Sequence, residues 1–354
     1  MSNKQFDYLV FIGRFQPFHI GHQEVINKAL TLAEKVIVLV GSSGQPRTIK
    51  NPFTFEERRK MILNTYGFTN VSSANIDFKK ISIAPLHDQK YNDQAWAASV
   101  QAIVQEEVTK AFGWSDMPRK GGIIGHSKDE SSYYLQLFPQ WEIVDHALNE
   151  IVHATDIRTL YFEQKFRFLE GVVPREVNEY LTKFKDSMYE YKLLCEEQEF
   201  IEKYKKAWAG APYAPTFLTA DAVVVQSGHI LLVKRKAAPG KGLWALPGGF
   251  VNPKERIETA MLRELREETK LKVPEPVLRG SIKTKEVFDR PDRSLRGRTV
   301  TQAFYIELNA GKLPAVKGGD DAEEAKWVPL ASVDEEVMFE DHYSIIEFFM
   351  GKLK

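Results

Sequence analysis

The sequence predicts an α/β domain with a parallel sheet, then an α+β domain, joined by a helical segment. Three observations carry this. Short apolar runs ended by glycine alternate with helical spacing in the first half. A charged, aromatic stretch without β signal follows and is broken by Gly210-Ala211-Pro212-Tyr213-Ala214-Pro215. Beyond that break a hairpin signal and one strong helix replace the alternation. The 354 residues suit two domains of about 150 residues each.

Tyr8-Leu9-Val10-Phe11-Ile12, closed by Gly13, reads as a buried parallel strand. Val25, Ile26, Ala29, Leu30 and Ala33 then recur at helical spacing, and Lys35 to Val40 is a second buried strand. A right-handed crossover makes this βαβ unit part of a Rossmann-like sheet. Thr54-Phe55-Glu56-Glu57 is a capping box that starts a helix through Met61 and Ile62. Gly122 to Gly125 and Trp141 to Val144 read as later strands of the same sheet. Residues from Pro174 to about Ala209 read as helix. Ala222 to Gln226 and Ile230 to Val233 flank Ser227-Gly228-His229 as a hairpin. Glu258 to Thr269 is a helix, and Val300 to Leu308 a further strand. The expected limits are 1–173, 174–210 for the connector, and 211–354.

Lys plus Arg number 48 and Asp plus Glu number 48, so the formal charge is zero and gives no global footprint for nucleic acid or an anionic membrane. The hydrophobic share of 43% argues against a disordered chain. The single cysteine, Cys195, cannot form an internal disulfide, and no Cys/His cluster has zinc-ligand spacing. The run after Met1 is too short for a signal segment, and nothing approaches a membrane span. A cytoplasmic protein that binds neither membrane nor nucleic acid is expected; a homo-oligomer is left open.

Two constellations point to chemistry. Gly13-Arg14-Phe15-Gln16-Pro17-Phe18-His19-Ile20-Gly21-His22 joins the first strand to the first helix. Ligands bind there in open α/β sheets, and helix-start amides attract anions. His19 and His22, three apart, can face one ligand, and Arg14 adds a planar cation. The second constellation is Gly249-x5-Glu255-x7-Arg263-Glu264-Leu265-Arg266-Glu267-Glu268-Thr269-Lys270-Leu271. Glu264, Glu267 and Glu268 share a helix face, where their repulsion calls for a divalent cation or a basic partner. Arg263 can brace them.

The first stretch resembles the H-x-G-H motif of the nucleotidyltransferases, more particularly the archaeal-type nicotinamide-nucleotide adenylyltransferases. Lys50-Asn51-Pro52-Phe53-Thr54 with Glu57-Arg58, Trp96, and Ala154-Thr155-Asp156-Ile157-Arg158 extend the resemblance. Lys50 departs from the family's usual Arg, and His153-Ala154 from its Ser-rich start. The resemblance implies attack of a mononucleotide phosphate on the α-phosphorus of ATP, giving NAD and pyrophosphate without a protein nucleophile. It assigns catalysis to His19, His22 and Arg158 with Mg (Mn as alternative). Gly13, Arg14, Phe15, Lys50, Asn51, Trp96 and Thr155 become substrate-binding, with Trp96 against the nicotinamide ring. Nicotinamide and nicotinate mononucleotide are not distinguished.

The second stretch resembles the Nudix box, with Lys270 where the family has Gly. If left-handed, Lys270 costs ~1 kcal/mol relative to Gly. The resemblance implies Mg-dependent hydrolysis of a nucleoside diphosphate, with Glu264, Glu267 and Glu268 as metal ligands and Glu255 in support. Glu267 is also counted as catalytic, and Glu323 or Glu324 is the candidate general base. Arg293, Arg296 and Arg298 are candidates to hold a diphosphate. These arginines, Trp244 and the Gly318-Gly319-Asp320-Asp321-Ala322 loop look like the ADP-ribose branch, whose products are AMP and ribose 5-phosphate. A non-hydrolysing ADP-ribose or NAD sensor is the alternative for this domain. An adenylyltransferase for another phosphate, such as phosphopantetheine, is one for the first. The order of the two resemblances matches the bifunctional nicotinamide-nucleotide adenylyltransferase/Nudix hydrolases.

Overall fold

Strand β1, Phe6–Gly13, lies at the centre of a five-stranded parallel sheet in a computed structural model that describes residues 4–67, 80–114, 118–125, 130–146 and 152–352. The start of the chain, Met1 to Asn3, lies outside the described residues. The chain divides into two compact units, Met1–Cys195 and Glu196–Lys354. The division falls inside the helical stretch that the sequence marks as a connector.

In the first unit β1 is followed by α1 (Ile20–Leu32), β2 (Ala33–Val40) and α2 (Phe55–Thr65). Then come β3 (Ile81–Pro85), α3 (Asp93–Phe112), β4 (Gly121–Gly125), β5 (Glu142–Asp145) and α4 (Ala154–Phe162). Sheet order is β3-β2-β1-β4-β5, all neighbours parallel. The order reverses between β1 and β4, the switch point where such sheets open a crevice at their carboxyl ends. The motif from Gly13 to His22 leaves β1 there. Thr54 caps α2 reciprocally with Glu57, as the capping box requires: Glu57 N donates to Thr54 Oγ1 at 3.3 Å and Thr54 N to Glu57 Oε2 at 2.7 Å. The long α3, not anticipated from sequence, buries Ala97, Val100, Val104 and Val108 against Val10, Ile37 and Leu39. Helices α5 (Arg175–Ser187) and α6 (Tyr189–Ala207) follow; α5 buries Val177, Leu181 and Phe184.

The second unit opens on β6 (Thr216–Gln226) and β7 (His229–Arg235). Ser227 and Gly228 both have positive φ, 48° and 73°, which a two-residue hairpin turn of type I′ demands. Short strands β8 (Trp244–Ala245) and β9 (Gly248–Phe250) lead to α7 (Ile257–Thr269) and α8 (Glu275–Gly280). Then come β10 (Ile282–Phe288), β11 (Arg298–Glu307), β12 (Ala322–Pro329) and α9 (His342–Lys352). The sheet runs β10-β11-β6-β7-β12, with β8 on β7 and β9 on β6. It is mixed, since β11 and β6 pair in parallel and the others antiparallel. The inner face of α7 (Ala260, Met261, Leu262, Leu265) packs on Ala220, Ala222 and Val224 of β6 and Phe304 and Ile306 of β11. The carboxylates of α7 therefore lie off that core face, beside β9. Among the described residues no helix is long and apolar enough to cross a membrane.

Candidate functional sites

In the first unit the chain turns sharply out of β1. Phe15 has φ 51°, and a Cβ on Gly13 would lie 2.8 Å from its ring, so only glycine fits beneath it. The Phe15 side chain is buried, which leaves its backbone rather than its ring to face a ligand. His19 stands at the N-cap of α1 and His22 one turn in, their rings stacked with centroids 3.6 Å apart. His19 N donates to His22 Nδ1 at 3.3 Å. A neutral His22 is then the Nε2–H tautomer, a donor to phosphate oxygen. Phe15 and Phe18 hold the His22 ring, at 4.7 and 5.8 Å.

Arg158, on α4, is buried; its Nη1 donates to Gln16 O at 2.8 Å and its Nη2 to Thr155 Oγ1 at 3.1 Å. Burial, and then the positive charge of Arg14, bring its pKa down to about 10, so it stays charged at neutral pH. Exposed Arg14 thus lies within electrostatic reach of Arg158, a juxtaposition that an anion between them would relieve. The structure therefore gathers Gly13, Arg14, His19, His22, Thr155 and Arg158 around one turn.

The Lys50–Thr54 segment is tied to that turn by Gln16. Asn51 N donates to Thr48 Oγ1 at 3.2 Å, and Asn51 Oδ1 is buried with no donor among the described residues. Trp96 packs against the α3 core, edge-on to Tyr134 at 6.2 Å and tilted against Phe138 at 6.0 Å. Arg58 is an organiser whose role sequence spacing did not disclose. Fully buried, it donates to Arg14 O (2.7 Å), Gly41 O (2.6 Å), Ser42 O (3.1 Å) and Thr54 O (3.2 Å). It binds together the carboxyl ends of β1 and β2.

In the second unit Arg263 holds the acidic cluster. It donates to Glu255 (2.9 and 3.0 Å), Glu264 (2.7 Å), Glu267 (3.0 Å) and Phe250 O (3.2 Å). A Cβ on Gly249 would meet the Glu264 carboxyl at 2.6 Å, so a larger residue here would push that carboxyl out of its present position. Gly248 N donates to Glu268 Oε2 at 2.9 Å. Burial pushes Glu268 up to about 8, against that amide, and raises Glu264 as well. Among the described residues no three His, Cys, Asp or Glu side chains form a ready cation cage. The donor set nevertheless fits a divalent cation, because buried carboxylates pushed toward neutrality are what such an ion relieves.

Lys270 ends α7 in the left-handed region (φ 51°, ψ 27°), where the box usually has glycine. The following loop folds back on the helix end: Lys317 N donates to Thr269 O and Gly319 N to Glu268 O, at 2.9 and 3.0 Å. Asp320 in that loop reaches Glu264 electrostatically. Glu323 stands instead at the exposed start of β12, not in the loop where the sequence places it.

Arg293 corrects the picture of a surface arginine run. It is buried and bonded twice to buried Asp341, both at 2.9 Å, so its guanidinium is committed to the fold. Arg298 is held by Asp289, through its carbonyl and a 3.6 Å ion pair. Arg296 lies over the Phe250 ring at 5.2 Å. Arg235, which sequence reading passed over, sits 4.1 Å above Phe339 and couples electrostatically to Arg296 and Glu268.

Residues 10–160 match the cytidylyltransferase-like family and residues 215–349 the NUDIX domain. The nicotinamide/nicotinic acid mononucleotide adenylyltransferase of Acinetobacter baylyi is 42% identical over 184 residues, 52% of this chain and 89% of that protein. The ADP-ribose pyrophosphatase of Methanocaldococcus jannaschii is 37% identical over 138 residues, 39% of this chain and 75% of that protein. The whole chain resembles a crystal structure from Francisella tularensis, a bifunctional NMN adenylyltransferase/ADP ribose pyrophosphatase complexed with AMP and Mn ion. Identity is 35%, the TM-score is 0.87, and coverage is 99% of this chain and 100% of that one.

Proposed function

The chain belongs to the bifunctional NMN adenylyltransferase/ADP-ribose pyrophosphatase family, and we propose that its two sites carry out those two reactions. The first joins the adenylyl group of ATP to nicotinamide mononucleotide, giving NAD and pyrophosphate. The second hydrolyses ADP-ribose to AMP and ribose 5-phosphate. The observation that carries the reading is the stacked His19–His22 pair beside buried Arg158 in one unit, with the Arg263-braced carboxylates in the other.

At the first site the attacking group is the mononucleotide phosphate, so the protein need only align it with the α-phosphorus and neutralise charge. His22 Nε2–H and the Arg158 guanidinium donate to phosphoryl oxygens, and Arg14 adds charge at the rim. Lys50 contributes a point charge and Asn51 an acceptor. At the second site Glu264, Glu267 and Glu268 would hold Mg or Mn, which when bound activates water and offsets phosphate charge. Arg263 keeps Glu264 and Glu267 together, and Gly248 N orients Glu268. Arg296 and Arg235 supply positive charge for a diphosphate. Glu323 remains the proposed base from sequence, with Asp320 supported by its electrostatic reach to Glu264.

The test is direct. The purified chain is incubated with Mg and ATP plus each mononucleotide in turn, and separately with ADP-ribose, and products are separated by chromatography. NAD or its deamido form in the first arm, and AMP in the second, are expected. Absence of either product removes that half of the assignment.

A further inference from the structure

The chain from Gly41 to Thr54 joins β2 to α2 without helix or strand, and it carries Lys50 and Asn51. A connection of that length has no ladder to fix its backbone, so side chains must do so. Arg58 holds Gly41 O and Ser42 O at one end and Thr54 O at the other. Between those ends Thr48 and Asn51 form a tight turn: Thr48 N donates to Asn51 O and Asn51 N to Thr48 Oγ1, both at 3.2 Å. Arg47 closes it. Its Nη1 donates to Pro52 O and, at 2.8 Å, to Glu57 Oε2, while Nη2 donates to Glu57 Oε1 at 3.1 Å. One guanidinium thus spans the turn that carries Lys50 and Asn51 and anchors it to the first turn of α2.

The pair is largely covered, with side chains 20% and 16% exposed, and a two-point fork fixes direction as well as distance. Burial pushes the Glu57 carboxyl up, but Arg47, Thr54 N and Tyr180 donate to it and hold it below the usual carboxylate range. It is therefore charged at neutral pH. The backing comes from α5, which follows the parallel sheet in the chain. Its Tyr180 hydroxyl donates to Glu57, and Arg47 lies over its Phe184 ring at 5.2 Å. Phe53 packs edge-on against the Tyr180 and Phe184 rings, at 6.2 and 5.4 Å. We propose that Arg47 is a positioning residue for adenylyl transfer: with Glu57 and Tyr180 it clamps the Lys50–Asn51 turn against a substrate phosphate. This rests on reading the first unit as an NMN adenylyltransferase with Lys50 at a phosphate. Arg47 acts through that turn rather than on the substrate, because its fork is committed to Glu57 and Pro52.

The test is a double-mutant cycle on NAD formation by the full chain with Mg. Lys50→Met identifies which KM the turn governs, that of ATP or that of the mononucleotide. Arg47→Met should raise the same KM about tenfold and leave the other within about threefold. In the Lys50→Met background it should change that KM by less than about twofold, since a clamp has no effect once the group it places is gone. Tyr180→Phe keeps the ring and should raise the same KM about twofold. Arg47→Lys, a single-point donor, should raise it about threefold, and that rise too should vanish without Lys50. Where Arg47→Met does not fold, Arg47→Lys takes its place in the cycle. A merely structural role instead lowers the active fraction, and so kcat, equally in both backgrounds. Independent effects of the Arg47 and Lys50 variants, a rise confined to the other KM, or a Lys50→Met chain with both KM values unchanged overturns the proposal. If the wild-type chain forms no NAD, the transferase reading fails separately, and the cycle is read on the Kd of ATP and of nicotinamide mononucleotide by calorimetry. Non-additive losses there support the clamp; additive losses, or a wild type that binds neither, overturn it.

Discussion

The side-chain amide of Gln16 pairs with both backbone polar groups of Phe53: Nε2 donates to Phe53 O at 2.8 Å and Phe53 N donates to Oε1 at 2.9 Å. Gln16 is buried, and its own carbonyl accepts from Arg158. One residue therefore joins the histidine turn, the Lys50–Thr54 segment and the Arg158 helix. Gln16→Met keeps the volume and strands two buried backbone groups, at about 1–3 kcal/mol each. Denaturant unfolding followed through NAD-forming activity should show that loss, together with a raised KM for the mononucleotide.

His22→Ala removes a donor aimed at charge that develops during adenylyl transfer. Such donors are worth about 100-fold or more in kcat. Steady-state kinetics should show a loss of that order in NAD formation, a smaller rise in KM and an unchanged rate of ADP-ribose hydrolysis. An unaltered kcat would sink the assignment of the first site.

Glu268 offers a pH prediction. Its folded pKa is raised from 4.5 to about 8, chiefly by burial. Between those values the folded state binds more protons than the unfolded one, so this residue makes stability fall as pH rises. Glu268→Gln removes the titration and still accepts from Gly248 N. In a chelator its melting temperature should exceed that of the parent chain above about pH 8, with hydrolysis abolished.

Lys270 pays a backbone cost at the end of α7. Lys270→Gly should stabilise the hydrolytic unit by about 1 kcal/mol in thermal unfolding. Hydrolysis should be unchanged, since Lys270 supplies no carboxylate.

Arg293 and Asp341 are a buried pair, with side chains only 3% and 1% exposed. Removing one partner strands the other, so Arg293→Met should cost about 3–5 kcal/mol by chemical denaturation. Adding Asp341→Leu should recover part of that loss. Arg298→Met, at a partly exposed pair, should cost at most about 1 kcal/mol.

Much of this architecture is written locally. Glycine-ended apolar runs, the Thr54–Glu57 box, the Ser227–Gly228 turn and the carboxylates of α7 depend on neighbours within a few residues, where backbone geometry sets the period. The zero net charge of the sequence conceals a basic turn at Arg14 and Arg158 and an acidic helix at Glu264–Glu268. Spacing marked the acidic helix, whereas Arg158 was joined to the turn only by the family resemblance and then by the fold.

Tertiary structure decided the rest, because it concerns partners far apart along the chain. Gln16 meets Phe53 across 37 residues, and Arg293 meets Asp341 across 48. A guanidinium in a polar run looks the same in sequence whether it will face a phosphate or a buried carboxylate. Arg58 and Arg293 became structural, Asp320 came within electrostatic reach of Glu264, and Trp208 joined Phe217 and Phe250 in one cluster. Residue type sets which chemistry a side chain can perform. Burial and the partner brought to it by the fold set which one it performs.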